Sequence, residues 1–524
     1  MGSNPVVLFD GVCNLCNGAV AWILERDKRG EFRFASLQSK AAREVVGEQF
    51  DSLPDSIVLV DGEGVHVRSD AVLRIGKRLG FPYSLLGWGR VLPGFVRDAV
   101  YSLVARNRYR WFGRMDQCML PKPEWKARFL DAEESIEVAP PVEKESGESF
   151  LARLIGLYLL LYISSHVGIG RLWRGAVQWF SASVLGLDAS TLPAGSGDTT
   201  YSYVEILLLL LMALPLAALW KWRLGEWPRL VVRYFLAVMM LVYGWAKVIP
   251  MQFPEPGPDR LMDAIGDASP MGLLWTFMGV STGYQIFAGA GEVLGGALLL
   301  FRRTSVVGAL TSAVVLLQVV ALNLCYDVPV KQFSTHLLLM SLYVFAPNAM
   351  RVFSYMVLGM AAPAVQHKDV GVSRAWVRRL GYGLQGLLVV GGLVAAPLFG
   401  YLGYKERFSL PAKIPLHGLY AVTNFEGGGA RWIRVAFNQR GIFRVQAADG
   451  TTLRYFASHR DGKLVLDGPV RGEIRMTPGV EGKLKLEGNF ENRPVKIGLQ
   501  QLPGTGWLLT SRGFHLVNER PLNR

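Results

Sequence analysis

Residues 6–28 read VVLFDGVCNLCNGAVAWILERDK, and this stretch decides how the first part of the chain folds. Val6 to Phe9 is an apolar run short enough for a buried strand, and Asp10-Gly11 turns the chain out of it. From Cys13 to about Lys28, Ala19, Val20, Ile23 and Leu24 fall on one helical face. A strand thus runs straight into a helix, and a CxxC motif opens that helix. Unpaired N–H groups at a helix start carry partial positive charge, which favours thiolate over thiol. The spacing predicts Cys13 as the attacking sulfur, with a lowered pKa. Cys16, one helical turn on, is placed to resolve a mixed disulfide.

Working outward, a second strand is expected over Phe32 to Ala35. Ser56 to Val60 and Val65 to Arg68 flank Asp61-Gly62-Glu63-Gly64 as a hairpin, with Asp70 capping a helix from Ala71. Residues 1–132 therefore read as an α/β unit. Residues 133–149, acidic and Pro-bearing, read as a linker. The opening residues lack the basic flank and long apolar core of a secretory signal, and Val6 stands where myristoylation favours Ser or Thr. The α/β unit is expected in the cytoplasm, where a CxxC is more often catalytic or metal-binding than structural. Copper-carrier domains also set CxxC between strand and helix, so the metal reading stands beside the redox one, with an inert pair as the blandest reading. The chain has 4 cysteines, too few for a disulfide-stapled scaffold.

Hydrophobic residues make up 51% of the 524 and mean hydropathy is +0.25. The apolar residues cluster in runs such as EILLLLLMALPLAALW, and a bilayer span needs about 20 of them. Residues 150–404 read as an all-α membrane bundle of about seven helices. The expected spans are Phe150–Gly170, Tyr201–Trp220, Leu230–Val248, Tyr284–Phe301, Ser305–Leu324, a short one over Phe333–Phe345, and Leu384–Tyr404; Met271–Val280 reads as a half-helix or re-entrant segment. Lys221, Arg223 and Arg229, then Arg302 and Arg303, then Arg351, Lys368, Arg374, Arg378 and Arg379 mark inner loops, whereas Arg171 and Arg174 fall outside. The net charge of +14 fits such loops beside anionic lipid, and no nucleic-acid-binding motif accompanies it. An odd number of spans puts residues 405–524 on the outer side. Alternating runs there (Trp432 to Phe437, Phe443 to Ala447, Lys463 to Leu466, Lys483 to Leu486, Gly506 to Thr510), broken at Asp449-Gly450 and Asp461-Gly462, predict a small antiparallel β domain. Ser511 to His515 is its densest polar–aromatic cluster, and a strand end explains it as well as a ligand does.

The Asp10-x-x-Cys13-x-x-Cys16 arrangement resembles the DCC family of thiol–disulfide oxidoreductases, whose name comes from those three residues. Arg106-Asn-Arg-Tyr109 and Cys118-Met-Leu-Pro121 resemble the C-terminal part of the same family, so the likeness covers about residues 5–131. It implies a thioredoxin-like fold and a dithiol site on Cys13 and Cys16. Asp10 would be a supporting carboxylate that helps proton transfer. Thioredoxins set a cis-proline directly before the strand facing the site, and here Pro54 comes about two residues early. Cys118 is a candidate third redox thiol or a buried structural cysteine.

In the membrane region, Tyr243-Gly-Trp-Ala-Lys247, Phe287-Ala-Gly-Ala-Gly-Glu292-Val-Leu-Gly-Gly296 and Asn323-Leu-Cys325-Tyr-Asp327-Val-Pro-Val-Lys331 resemble the DoxX-type family, over about residues 230–350. That likeness implies electron transfer linked to quinone. Read on its own, Glu292 is an ionisable group inside an apolar span, costly unless paired or functional. Lys247, Lys331 and Asp327 are its candidate partners, in a structural ion pair or in a proton or quinone site. The neighbouring glycines read as helix-packing residues. Cys325 is a further candidate redox thiol, His166 and His336 are weak ligand candidates, and no His/Cys cluster has zinc-site spacing. The loop Gly195 to Tyr201 lacks the features of a phosphate loop and reads as a helix entry capped by Asp198 or Thr199.

Together these features predict a multi-pass inner-membrane thiol–disulfide oxidoreductase, its first domain cytoplasmic and its β domain outside. Its expected partners are the lipid bilayer, a thiol or disulfide protein or small thiol, and quinone; no covalently bound cofactor and no nucleic acid are expected. A membrane scaffold or assembly factor with a redox-sensing or metal-binding CxxC, and a proton-coupled transporter using Glu292, are the alternatives. The dithiol and the outer polar residues would lie about 30 Å apart, so coupling needs a mobile carrier or an inner quinone pocket.

Overall fold

In the computed structural model the described residues are 4–112, 123–132, 134, 149–167, 170–190, 198–220, 224–356, 375–409, 416–438, 441–467, 472–503 and 509. They belong to two compact units: residues 1–148 with 345–369, and residues 149–344 with 370–524.

The first unit holds β1 (Val6–Phe9), α1 (Asn14–Arg26), β2 (Arg33–Ser36), α2 (Lys40–Val46), β3 (Val58–Asp61), β4 (Gly64–Val67), α3 (Arg68–Leu79) and α4 (Gly94–Phe112). The sheet order is β2-β1-β3-β4, with β1 parallel to β2 and antiparallel to β3, and β3 antiparallel to β4. Burial on both faces explains why β1 is uniformly apolar rather than alternating. On one side Val7 and Phe9 pack with Val20, Ile23 and Leu24 of α1 and with Phe34, Leu59 and Phe129; on the other Leu8 packs with Ala35, Ala42 and Val58. Each large apolar side chain so buried contributes about 1.5–3 kcal/mol.

Residues beyond α4 return to this core. Phe129 bridges to Phe34, Arg128 pairs with buried Asp27, and the Asp131 carboxylate accepts from Ser36 N at 2.6 Å. Glu134, within the expected linker, accepts from Lys40 N (2.8 Å) and Ala41 N (3.1 Å) at the start of α2. One local expectation is corrected. Asp70 does not cap α3, which starts earlier with Val67 at its N-cap; it lies in the first turn and pairs with Arg74 at 2.8 Å.

The second unit contains α5 (Phe150–His166), α6 (Gly170–Phe180), α7 (Thr200–Leu219), α8 (Trp227–Val248), α9 (Pro258–Leu261), α10 (Pro270–Val280), α11 (Thr282–Leu300), α12 (Ser305–Cys325), most of α13 (Lys331–Met356), α14 (Ala375–Val390) and α15 (Ala396–Ser409). Among the described residues six helices are long and apolar enough to cross a membrane: α7, α8, α11, α12, α13 and the segment Ala375–Glu406 that joins α14 to α15. α5 and α10 are shorter apolar helices. The sixth expected span proves long rather than short, because α13 runs through Pro347. Thr199 caps α7 by accepting from Ser202 N. Asp198 instead caps α13, accepting from Lys331 N (2.9 Å) and Gln332 N (3.0 Å).

Glycines set the approach of α8 to α11. A Cβ at Gly289 would stand 2.7 Å from Gly244 O, and one at Gly244 would stand 2.8 Å from Val293 N. Only hydrogen fits there, so the two backbones touch.

The C-terminal part is a closed antiparallel barrel of β5 (Gly418–Gly427), β6 (Trp432–Asn438), β7 (Ile442–Ala447), β8 (Thr452–Arg460), β9 (Lys463–Asp467), β10 (Gly472–Pro478), β11 (Lys483–Phe490) and β12 (Arg493–Gln501). Closure removes the exposed sheet edges that a small open sheet would carry. Phe437, Phe443, Tyr455, Phe490 and Trp432 fill the interior. Asp461-Gly462 and Glu491-Asn492 make tight turns with positive φ at both positions. The barrel rests on the loop after α8, where Asn438 donates to Asp259 at 2.7 Å and Arg444 pairs with Asp263. Gly506 to Thr510, expected as a strand, and Ser511 to His515 lie outside the described residues apart from Leu509.

Candidate active site

β1 ends at Phe9, and the next residues turn the chain so that Cys13 becomes the N-cap of α1. Two backbone bonds hold that turn: Cys13 N donates to Asp10 O (3.1 Å) and Asn17 N donates to Cys13 O (2.9 Å). Asn17 Nδ2 donates to Gly11 O (2.9 Å), and Asn14 Nδ2 reaches across to Phe112 O (3.0 Å). Both thiols are free. Cys13 is wholly buried, at 0% exposure, whereas Cys16 is half-buried and lines a cleft with Leu15, Asp55, Ile57, Tyr101 and Arg108.

The two thiols shift each other in opposite directions. The Cys16 thiol donating to Cys13 is the largest influence on Cys13 and lowers its pKa, against burial and the Asp10 charge. Cys13 closes no side-chain cap bond, yet the Cys16 backbone N–H lies near enough to lower it further. The same sulfur contact, followed by burial, pushes Cys16 far up. Cys13 is thus shifted toward the thiolate and Cys16 away from it.

Asp10 is the centre of a second network. Its Oδ1 accepts from Val12 N (3.3 Å) and Gln38 Nε2 (3.0 Å). Its Oδ2 accepts from Arg108 Nη2 (2.9 Å), Arg108 Nε (3.3 Å) and the Tyr109 hydroxyl. Arg108 Nη2 also donates to both oxygens of Asp55, at 2.7 and 2.8 Å. Burial works against the Arg108 charge, but Asp55 and Asp10 outweigh it and hold its pKa above the ordinary value. Burial and then the bond to Asp10 raise Tyr109. Tyr101, raised chiefly by burial, accepts from Ile57 N at 2.9 Å on the cleft wall.

Asp10, Cys13 and Cys16 therefore come together as expected from their spacing. Arg108 and Tyr109 join them from α4, about a hundred residues away in sequence; the only signal was the Arg106-Asn-Arg-Tyr109 run itself, of which Arg108 is buried. Gln38, Asp55 and Tyr101 carried no signal. Pro54 precedes β3 by a short loop, and among the described residues the cis peptide is Phe81–Pro82. Cys118 lies outside the described residues.

Comparison with known proteins bears directly on this arrangement. Residues 7–114 match the DCC1-like thiol-disulfide oxidoreductase family. The uncharacterized protein YuxK of Bacillus subtilis is 44% identical over 131 residues, 24% of this chain and 94% of that protein. The chain belongs to the DCC family. A chloroplastic DCC family protein of Arabidopsis thaliana is 42% identical over 120 residues, 22% of this chain and 69% of its own. A second Bacillus subtilis protein, YwoB, is 40% identical over 110 residues, 21% of this chain and 70% of its own. No solved structure matches. The family match covers the DCC domain, including Asp10, both thiols, Arg108 and Tyr109.

The expected membrane residues divide into separate sites. Lys247 Nζ donates to both Glu292 oxygens (2.9 and 2.7 Å) between α8 and α11, and stands 5.8 Å from the Tyr243 ring centre. Lys331 pairs not with Glu292 but with Asp327 (2.7 Å) and Asp198 (3.7 Å). Asn323 donates to Ser334 Oγ at 3.0 Å. Cys325 is exposed at the end of α12. His166 and His336 belong to one aromatic stack with Tyr162, whose ring lies 3.9 Å from that of His336. His336 Nδ1 donates to Gln332 O (2.8 Å), which leaves Nε2 to accept from Tyr158 OH (2.7 Å). Among the described residues no three His, Cys, Asp or Glu side chains converge as a metal-ion set.

Proposed function

We propose that the protein is a membrane-anchored thiol–disulfide oxidoreductase whose working couple is the Cys13/Cys16 dithiol and its disulfide. The observation that carries this reading is the placement of two free thiols at the start of α1, Cys13 buried and Cys16 on a cleft, beside a buried Asp10–Arg108 pair. Oxidation forms one S–S bond and releases two electrons and the thiol protons to a disulfide, which becomes two thiols, or to a quinone, which becomes a quinol. The order β1-α1-β2 followed by the β3-β4 hairpin and α3, with the dithiol at the start of α1, supports a thioredoxin-like assignment. In this reading Asp10 orients the site and helps move its proton through Tyr109.

The membrane half would be DoxX-like and pass reducing equivalents to quinone. A buried Lys247–Glu292 pair next to Tyr243 supports this reading. The Tyr243 ring lies 6.1 Å from that of Phe333, which stacks on His166 and so joins the pair to the aromatic stack. The DCC domain would face the cytoplasm and the barrel the outer side of an inner membrane. The test is thiol trapping of the full chain in detergent across a series of redox potentials, followed by addition of a quinol or a reduced thioredoxin. A two-electron transition of Cys13 with Cys16 is expected. Absence of any joint transition refutes the redox reading, and a couple blind to quinol refutes the quinone arm.

A further inference from the structure

We propose that partner thiols and disulfides exchange at Cys16, so that the mixed disulfide forms there and Cys13 serves as the leaving and resolving sulfur. The inference rests on the dithiol reading above and reverses the roles that helix position alone suggests. Cys13 is the N-cap, and that position would ordinarily make it the attacking sulfur. Here it is the sealed one, at 0% exposure. The turn bonds from Asp10 O and Asn17 N fix its backbone, and the Asn14 side chain anchors the start of α1 to Phe112 O. Cys16 borders the cleft, between an apolar wall of Leu15, Ile57 and Val104 and a polar end of Asp55 and Arg108.

The chemistry closes in both directions. Starting from the disulfide, a partner thiolate enters the cleft and attacks Cys16 Sγ. The Cys13–Cys16 bond breaks, and its electron pair leaves on Cys13. The Cys16 N–H favours negative charge on the departing Cys13, while the Asp10 and Arg108 charges oppose one another there. A second partner thiolate then attacks the partner sulfur of the mixed disulfide, releasing the partner as a disulfide, and Cys16 keeps the pair as thiolate and recovers a proton. Starting from the dithiol, Cys16 passes its proton along the existing contact to Cys13 and attacks a partner disulfide, expelling one partner thiolate. That thiolate takes the proton back from Cys13. Cys13 then attacks Cys16 Sγ and expels the second partner thiolate, leaving the protein disulfide.

The experiment uses the wild-type full chain in detergent, oxidised, pulsed with glutathione, quenched, alkylated with N-ethylmaleimide and mapped by peptide mass. With the quench made in acid and the maleimide added in denaturant so that buried Cys13 is reached, the expected trapped species carries glutathione on Cys16 and maleimide on Cys13, in about tenfold or greater excess over the reverse. The reverse pattern, or equal amounts of both, overturns the proposal while leaving the dithiol reading intact. Failure to form any Cys13–Cys16 disulfide before the pulse refutes the dithiol reading itself, and the proposal with it. Single variants give an independent arm. With glutathione disulfide, Cys13→Ser should form the mixed disulfide faster than Cys16→Ser, and faster reaction of Cys16→Ser overturns the assignment.

Discussion

Replacing Arg108 by Met tests whether Asp10 is held as a paired, buried carboxylate. The two side chains are 7% and 4% exposed, so neither charge has water to fall back on. Removing one partner of a buried pair costs about 3–5 kcal/mol, because the remaining charge is stranded. Asp10 keeps Gln38, Val12 N–H and the Tyr109 hydroxyl, which places the expected loss at the lower end, about 3 kcal/mol. Asp55, 75% exposed, rehydrates on losing the arginine and adds little. Buried Cys13 provides the assay: in the full chain, its alkylation in rising urea reports opening of the DCC domain. With a slope of about 2 kcal/mol per molar urea, the midpoint should fall by about 1.5 M. The Asp10→Asn/Arg108→Met double variant removes the stranded charge as well and should recover much of the loss. A single variant within about 0.5 kcal/mol of wild type, or a double variant no better than the single, refutes the pairing argument.

Further outcomes follow from other contacts. Reduction should take up two protons below the lowered Cys13 pKa and one above it, because Cys16 is raised. The potential should therefore fall by about 60 mV per pH unit and then by about 30 mV. Potentiometry should place the bend below the ordinary thiol value of 9.0 and find no second bend up to about pH 11. Glu292→Gln strands buried Lys247 and should cost about 3–5 kcal/mol in thermal unfolding of the detergent-solubilised chain. The Lys247→Met/Glu292→Leu pair should recover part of that, and wild-type stability of the single variant would exclude a structural ion pair. Gly289→Val forces a side chain within 2.7 Å of the α8 backbone and should lower the same unfolding midpoint sharply. Gly283→Ala, with open space around it, is the control, and equal effects of the two would remove the close-packing account.

What could be read from the sequence follows the range of the forces involved. The strand, turn and helix around Cys13 are local, and periodicity together with Asp10-Gly11 located them to within a residue or two. The candidate membrane helices depend on length and apolarity, again local, and the two that run longer than expected are the helix through Pro347 and the segment Ala375–Glu406. In the barrel, β6, β7, β9, β11 and the turn at Asp461-Gly462 were legible. β5, β8, β10 and β12 were not, since their lipid-free outer faces are polar and their pattern emerges only once partners are paired. The site was half visible for the same reason. Asp10, Cys13 and Cys16 are neighbours in sequence, whereas Arg108 and Tyr109 reach them only after α4 folds back, a contact no periodicity encodes. Glu292 was recognisable as expensive, but the choice of Lys247 over Lys331 depended on how glycines let α8 and α11 touch.

The same long-range contacts explain how the two thiols can be both unequal and quick to exchange. The Asp10 charge disfavours a thiolate at either sulfur and the Arg108 charge favours it, so the buried pair largely cancels its own field and chiefly orients the turn. The asymmetry comes instead chiefly from what each thiol does to the other, an influence confined to the dithiol. Once Cys16 is bonded to a partner it has no hydrogen to donate, and Cys13 loses the largest influence lowering its pKa. Its thiolate then becomes more basic, and nucleophilicity rises with basicity. In the proposed cycle Cys13 is thus held toward the thiolate in the dithiol and becomes the stronger nucleophile in the mixed disulfide, where it must attack Cys16.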